Sequence, residues 1–361
     1  MSTRAGRVVV VGSLNLDHTV VVERLPKPGE TVAGSAYGTA AGGKGLNQAV
    51  AAARQGADVS MVGVVGSDPA GSLLVGVLAE ERVGVDRVRR VLGPSGTALV
   101  TVDTHGGNTI VVAAGANSEM SVADLTPEVF AGAAVVVCQL EVAREVVSAA
   151  LSAARAAGAI ALLDPAPVDG TLPPDLVGLA DLVVPNETEA VMLVPAAAGR
   201  GPLDAASTAG RGLLRAGARV ALVTLGARGA LLVERDQVTP VPPFQVESVD
   251  PTAAGDAFVG ALAASLATGE PIAAATRRAA AAGALATTRL GAVPSLPDRE
   301  AVDALVDAAD PRARVEHPGA AGARRAPTTP ATPPRGSRRP SPSGGPGAGP
   351  SGPIRPGGPR T

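Results

Sequence analysis

The chain has 361 residues, 46% of them apolar, with a single cysteine and a formal charge of −2. That length permits one large core, the lone cysteine excludes an internal disulfide framework, and the longest apolar runs fall far short of the roughly 18 residues of a membrane span. The charge is uneven: residues 311–361 carry nine Arg and one acid, a net of +8, which leaves the first 310 residues at −10 and makes the body a poor nucleic-acid binder.

In chain order, Met1–Gly6 runs into the apolar stretch RVVVVG (7–12), which is too brief for the core of a signal peptide and reads as a first strand; a cytoplasmic location is expected. Residues 16–40 and 97–113 alternate apolar with polar and carry hairpin-like turns such as Gly106-Gly107-Asn108. They read as antiparallel strands outside the main sheet, forming a flap over the site. The short apolar runs at 133–140, 159–164, 181–186 and 219–226 are further strands. Between them, Ala- and Leu-rich stretches at 44–56, 69–83, 142–157, 203–216, 254–268 and 271–288 read as helices. Continuous apolar strands separated by helices predict a mostly parallel sheet covered on both faces. Ligands of such folds sit beyond the carboxyl ends of the strands. Asn15, Asp17, Glu141, Asp164, Asn186 and Gly226 with Gly229 stand there and form the candidate site. From about residue 310 onward, 13 Pro and 10 Gly with almost no large apolar residue predict a disordered tail.

Several stretches carry chemistry. AAGGKGLNQAVAAARQGA (40–57) is neither a P-loop, because Gly45 follows Lys44 where a Ser or Thr is needed, nor a dinucleotide fingerprint, which belongs after the first strand. It is a glycine turn opening a helix, with Lys44 and Asn47 on its first turn; Gly42, Gly43 and Gly45 serve either close ligand approach or tight packing. In GSLNLD (12–17), alternation puts Asn15 and Asp17 on one side of an extended chain, a donor and acceptors suited to a polyol. VVPNETEA (183–190) reads first as a capping box between Asn186 and Glu189, and second as an amide and carboxylate organising water around Mg²⁺. VTLGARGALLV (223–233) is a strand, a glycine turn and a second strand.

The sharpest stretch is VDPTAAGDAF (249–258). Ala253, Ala254, Gly255 and Asp256 open a long apolar helix, where bare N–H groups and the helix dipole favour an anion. A transferring phosphoryl group needs such donors, and Asp256 beside them is placed to accept a proton from an attacking hydroxyl. TTRLGAVPS (287–295) is rich in turn residues that would offer carbonyls to a cation near Asp250.

Taken together and in order, GSLNLD, LPKPGETV, GGKGLNQAVAAARQGA, AGAN, QLE, PNETEA, TLGARG, VDPTAAGDAF and TTRLGAVPS resemble the ribokinase (PfkB) family of carbohydrate kinases from about residue 6 to residue 308. The resemblance implies a three-layer α/β/α fold with a small β-sheet lid, a kinase domain at 1–310 and a tail at 311–361. It implies ATP-dependent phosphorylation of a sugar's primary hydroxyl, D-ribose first, with deoxyribose, fructose phosphates, 2-keto-3-deoxygluconate and nucleosides as rivals. It implies sugar contacts from Asn15, Asp17, Gly43, Lys44, Asn47 and Glu141, with Asp256 as the base and Ala253, Ala254 and Gly255 as the anion hole. It further implies an ATP site at Asn186, Thr224, Gly226, Gly229, Gly255 and Ala280. Mg²⁺ would be organised by Glu189, and K⁺ would lie among Asp250, Thr252, Ala286, Arg289, Gly291 and Ser295. The lid in this family also forms a homodimer contact. The chain departs from the family's usual residues at Leu46, Asp164, Pro251 and Ala280.

Overall fold

Val8 to Val11 have no exposed surface, and successive valines face different layers: Val8 and Val10 pack with Leu46 and Leu262, while Val9 and Val11 pack with Val147 and Leu163. A strand buried on both faces belongs in the middle of a helix-covered parallel sheet, and that is where the computed structural model places it. The structure describes residues 6–309 apart from Gly106, Asp169 and Thr171. The tail expected over 311–361 lies outside the described residues, as does part of the turn expected at Gly106-Gly107-Asn108.

The elements in order are β1 (Arg7–Val11), β2 (Asn15–Val22), β3 (Gly34–Gly42), α1 (Lys44–Arg54), β4 (Asp58–Gly66), α2 (Pro69–Glu80), β5 (Gly84–Val91), β6 (Gly96–Asp103) and β7 (Asn108–Ala113). There follow α3 (Pro127–Phe130), β8 (Ala133–Cys138), α4 (Arg144–Ala156), β9 (Ile160–Leu163), α5 (Pro174–Leu179), β10 (Leu182–Val183), α6 (Glu187–Leu193) and α7 (Pro202–Arg215). The chain then runs through β11 (Val220–Thr224), β12 (Ala230–Val233), β13 (Val238–Val241), α8 (Ala254–Ala267), α9 (Ile272–Ala286) and α10 (Arg299–Ala308). Nine strands form one sheet in the order β13-β12-β11-β10-β9-β8-β1-β4-β5, and only β12 runs against the rest. One apolar cluster joins the sheet to α1, α2, α8, α9 and α10; the other joins it to α3, α4, α5, α6 and α7. The fold class is therefore as expected.

The second sheet, β3-β2-β6-β7, contains the two alternating segments read as a flap. One detail differs from expectation. β2 and β6 pair in parallel, and only β2–β3 and β6–β7 are antiparallel, because the central two strands each rise directly out of the main sheet instead of meeting through a hairpin. The root of this lid is tied down by Asp68, the N-cap of α2, whose carboxylate accepts from Gly71 N at 2.7 Å, Ser95 N at 2.9 Å and Ser95 Oγ at 2.7 Å. Among the described residues no helix is long and apolar enough to cross a membrane.

Candidate active site

The carboxyl ends of β1, β8, β9 and β11 and the starts of α1, α6 and α8 converge on one concave region. Asn15, the first residue of β2, is buried and held by Asn117, whose Nδ2 donates to Asn15 Oδ1 at 2.8 Å and whose Oδ1 accepts from Leu14 N at 3.0 Å. Asn15 Nδ2 reaches Glu141 Oε2 at 3.4 Å. The same oxygen accepts from Ser13 Oγ at 2.5 Å and from Lys44 N at 3.1 Å. Glu141, on the loop after β8, thus pins the first strand's exit and the start of α1 together.

The glycines before α1 make room for the chain itself. A Cβ on Gly43, whose φ is +88°, would lie 2.8 Å from Asn15 N, and one on Gly42 would lie 2.1 Å from Asp17 Oδ2. A Cβ on Gly45 would lie 2.6 Å from Ser13 N. Of the two readings of this turn, tight packing is the one that these contacts support. Leu46, next in the motif, is turned wholly into the core with Val8 and Leu262.

Asp256, in the first turn of α8, is 6% exposed. Asn47 Nδ2 donates to its Oδ2 at 2.9 Å and Gln48 Nε2 to its Oδ1 at 3.0 Å. Gln48 Nε2 also donates to Asp164 Oδ2 at 2.6 Å, while Gln48 Oε1 accepts from Gln139 Nε2 at 2.6 Å. Lys44 Nζ stands 3.8 Å from both Asp164 and Asp256, its side chain 28% exposed. Burial pulls the Lys44 ammonium down, but Asp164, Asp256, Glu141 and Glu189 outweigh it and hold its pKa above the usual lysine value. Burial, aided by the charges of Glu141 and Asp256, pushes Asp17 up to about 7. Burial also pushes Asp164 up to about 7, against the pull of Lys44 and with help from Asp256 and Glu189. Asn47 Oδ1 is buried with no hydrogen-bond partner among the described residues, beside the base.

The turn into α8 is set by Ala253, which adopts the left-handed conformation at φ 58°, ψ 9° without being glycine. The four bare amides expected here are three: Ala254 N donates to Pro251 O at 3.2 Å, closing the turn, while Ala253, Gly255 and Asp256 N–H find no partner among the described residues. Space beside Gly255 is open.

Next to these amides lies a cavity of about 300 Å³. Its walls include Thr224, Gly226, Gly229, Gly255 and Ala280, five of the six residues expected to hold ATP, together with Phe244, Phe258 and Pro251. Arg277 stacks over Phe244 at 3.8 Å from the ring centre and stiffens one wall. Asn186, the sixth, pairs with Thr224 as an isolated bridge at the cavity's edge. Its capping box with Glu189 is complete, with Asn186 N donating to Glu189 Oε2 at 2.8 Å and Glu189 N to Asn186 Oδ1 at 2.9 Å. Glu189 nevertheless lies close enough to act on Lys44 and Asp164.

Asp250 accepts from Thr252 N at 2.9 Å, Thr252 Oγ1 at 2.6 Å and Gly291 N at 2.8 Å. Burial raises its pKa, but these hydrogen bonds prevail and hold it below the usual carboxylate range. Thr287 O, beside Ala286, accepts from Val249 N at 2.7 Å and Asp250 N at 3.0 Å. The buried Ser295 hydroxyl donates to Ala292 O at 2.8 Å, and Arg289 is exposed. The 249–252 and 287–291 segments are thus brought together, with no hydrogen bond or ion pair joining Ser295 or Arg289 to Asp250 among the described residues.

The sequence singled out most of these residues but gave no role to Ser13, Gln48, Asn117 and Gln139. All four lie inside quoted motifs, and a buried amide in an otherwise apolar surround is the signal that marks the last three.

Chemically, a pocket of carboxylates and amides suited to hydroxyls meets an apolar cavity at a carboxylate and three free N–H groups. Comparison with known proteins identifies the family. The model of the pfkB family carbohydrate kinases matches residues 5–299. The ribokinase of Haemophilus influenzae is 36% identical over 298 residues, covering 81% of this chain and 96% of that protein. The deoxyribokinase of Salmonella typhi is 34% identical over 299 residues, covering 81% of this chain and 96% of its own. The structure of Arabidopsis thaliana ribokinase complexed with ribose and ATP superposes with a TM-score of 0.76 at 34% identity, covering 84% of this chain and 99% of that one.

Proposed function

The chain belongs to the pfkB family of carbohydrate kinases, and from that premise we propose that it transfers the terminal phosphoryl group of ATP to the primary hydroxyl of D-ribose, yielding ribose 5-phosphate. The observation that carries this reading is the seat of Asp256: its carboxylate is fixed by Asn47 and Gln48 beside three unpartnered amides, between a polar pocket and a cavity.

In this mechanism Asn15, Asp17, Glu141 and Asn47 take the sugar's hydroxyls, with Gly43 and Lys44 closing the pocket. Asp256 accepts the proton of the attacking hydroxyl as the oxygen–phosphorus bond forms. The N–H groups of Ala253, Gly255 and Asp256 take the charge that develops on the phosphoryl oxygens. Holding both substrates in line supplies the rest, with no covalent enzyme intermediate. Phe244, Phe258 and Ala280 offer apolar surface for the adenine. Glu189, with only Oε2 taken by its cap, would hold through water a Mg²⁺ that, bound with ATP, would neutralise phosphate charge. Asp250 is anionic and makes no ion pair among the described residues, which fits K⁺ held there with Thr252, Ala286, Arg289, Gly291 and Ser295.

Tyr37, Leu99, Ile110 and Val111 are exposed on the lid, which supports a homodimer through that sheet. The reading places the protein in the cytoplasm, with no nucleic-acid or membrane partner, and assigns the activity to residues 1–310. The likeness to a deoxyribokinase makes 2-deoxyribose the competing acceptor.

The test is ADP release from ATP and Mg²⁺ with ribose, 2-deoxyribose, fructose 6-phosphate and adenosine, in K⁺ and in Na⁺, with and without residues 311–361. Ribose leading, with stimulation by K⁺ and indifference to the truncation, is the expected result. Preference for deoxyribose would move the substrate and keep the mechanism. Sugar binding without turnover would overturn it in favour of a non-catalytic regulator.

A further inference from the structure

The base does not stand alone in its pocket. Asp164, at the end of β9, is 5% exposed and draws on the same two donors as Asp256. Lys44 Nζ lies 3.8 Å from each carboxylate. Gln48 Nε2 has two hydrogens, one directed to Asp164 at 2.6 Å and the other to Asp256 at 3.0 Å. Gln48 cannot turn its oxygen toward either acid, because Oε1 is taken by Gln139 Nε2 at 2.6 Å. A Cβ on Gly12 would sit 1.9 Å from Gln139 Oε1, so the small residue there is what lets Gln139 lie against Gln48's strand-side edge. Two buried acids thus share one ammonium and one amide.

We propose that Asp164 is a positioning residue for the base: it competes with Asp256 for Lys44 and Gln48 and thereby sets how much neutralisation reaches the base. This rests on the kinase reading above. When Asp164 is charged, Lys44 is divided between the two acids, and Asp256 accepts a proton from the sugar more readily. When Asp164 is protonated, Lys44 passes to Asp256 and weakens it as a base. The groups facing Asp164 are Lys44 and Gln48 from α1, Asp256 from α8 and Glu189 from α6. Its carboxyl, with a pKa of about 7, changes state near neutrality.

The experiment is the pH profile of kcat at saturating sugar and ATP for the native chain and for Asp164→Asn, which keeps volume and the hydrogen bond from Gln48. The native profile rises through pH 7. In Asp164→Asn that limb is lost: kcat matches the native value near pH 6 and falls about threefold to tenfold below it at pH 8, with KM for the sugar unchanged. A structural role alone would lower kcat by one factor at every pH, and two parallel profiles overturn the proposal. A second measurement needs no turnover. In ¹³C-aspartate-labelled free enzyme, with Asp164→Asn identifying the resonance, the Asp164 midpoint falls in Asp256→Asn, because the repelling charge is gone. An unmoved midpoint overturns the coupling. If the native chain phosphorylates no sugar, the parent reading fails by itself, and the carboxyl titration still decides this one.

Discussion

Asn47 donates to Asp256 at 2.9 Å across 209 residues of chain, so the first turn of α1 holds the base that opens α8. That contact makes the base dependent on two helices packed side by side, and it suggests how removal of the carboxylate should read. Asp256→Asn keeps the shape and loses the proton acceptor. The expected result is a fall in kcat of about 10²- to 10⁴-fold with sugar KM changed by only a few-fold, measured as ADP release. A variant retaining more than a tenth of native turnover would place the base elsewhere.

Glu141 should respond differently. Its Oε2 accepts from Ser13 Oγ, Lys44 N and Asn15 Nδ2. Glu141→Gln puts an amide where three donors converge, so one arrangement leaves N–H facing N–H. Loss of about 1–3 kcal/mol is expected, together with a raised sugar KM. Chemical denaturation and initial rates check both, and an unchanged midpoint would show that the loop after β8 is not held by this contact.

The two acids raised to about 7, Asp17 and Asp164, predict an unusual pH dependence of stability for the ligand-free protein. In the unfolded chain both titrate near the ordinary aspartate value of 3.8. As pH rises from about 4 to 7, the unfolded state releases protons that the native state still binds, so stability falls with pH and levels off above 7. Asp68, Asp124 and Asp250 are shifted down, so their contributions are complete before this window opens. Tm should therefore drop by several degrees between pH 5 and 8, at about 2 °C per kcal/mol for a chain of this size. The double variant Asp17→Asn, Asp164→Asn should flatten that slope, and a native Tm constant across the range would contradict it.

Two glycines in the nucleotide region separate packing from access. A Cβ at Gly229, where φ is +88°, would lie 2.1 Å from Val241 O, so Gly229→Ala should distort the β11–β12 turn and lower Tm. At Gly255 a Cβ meets nothing within 4 Å. Gly255→Ala removes a helix-breaking residue, a gain of up to about 1 kcal/mol, yet places a methyl group where the phosphates should lie. Its Tm should hold or rise while KM for ATP increases. A lower Tm with native ATP kinetics would reverse the assignment of that space.

Much of this was legible in the chain because the fold's signals are local. RVVVVG could hardly be anything but a buried strand, and the apolar helices at 44–56 and 254–268 appeared at nearly their true bounds, Lys44–Arg54 and Ala254–Ala267. β4 carried the same signature in Val59, Met61, Val62, Val64 and Val65 but was passed over, and β5 was hidden by Arg87, Arg89 and Arg90 on an edge strand. The short elements α3, α5 and β13 have too few residues to show a period, whereas β10 fell inside the strand read at 181–186 and α6 began at the capping box read at Asn186. The parallel pairing of β2 with β6 could not be read because it joins residues some eighty positions apart. The same limit hid Gln48: its partners Asp164 and Asp256 are 116 and 208 residues away, so no spacing announces them. The free amides at Ala253, Gly255 and Asp256 were visible in the motif, but the loss of Ala254 to Pro251 required the left-handed turn at Ala253.

The lid's two central strands begin where the main sheet leaves off, and that has a consequence for wasteful chemistry. Asn15 and Asp17 belong to β2, whereas Asn47, Glu141 and Asp256 belong to the body. On the proposed function the acceptor's handholds are therefore divided between two sheets, which Asn15 and Glu141 join at 3.4 Å. Under that proposal a sugar would touch residues of both sheets at once, whereas a water molecule is too small to do so. On this reading, discrimination between sugar and water would follow from where the backbone crosses from one sheet to the other.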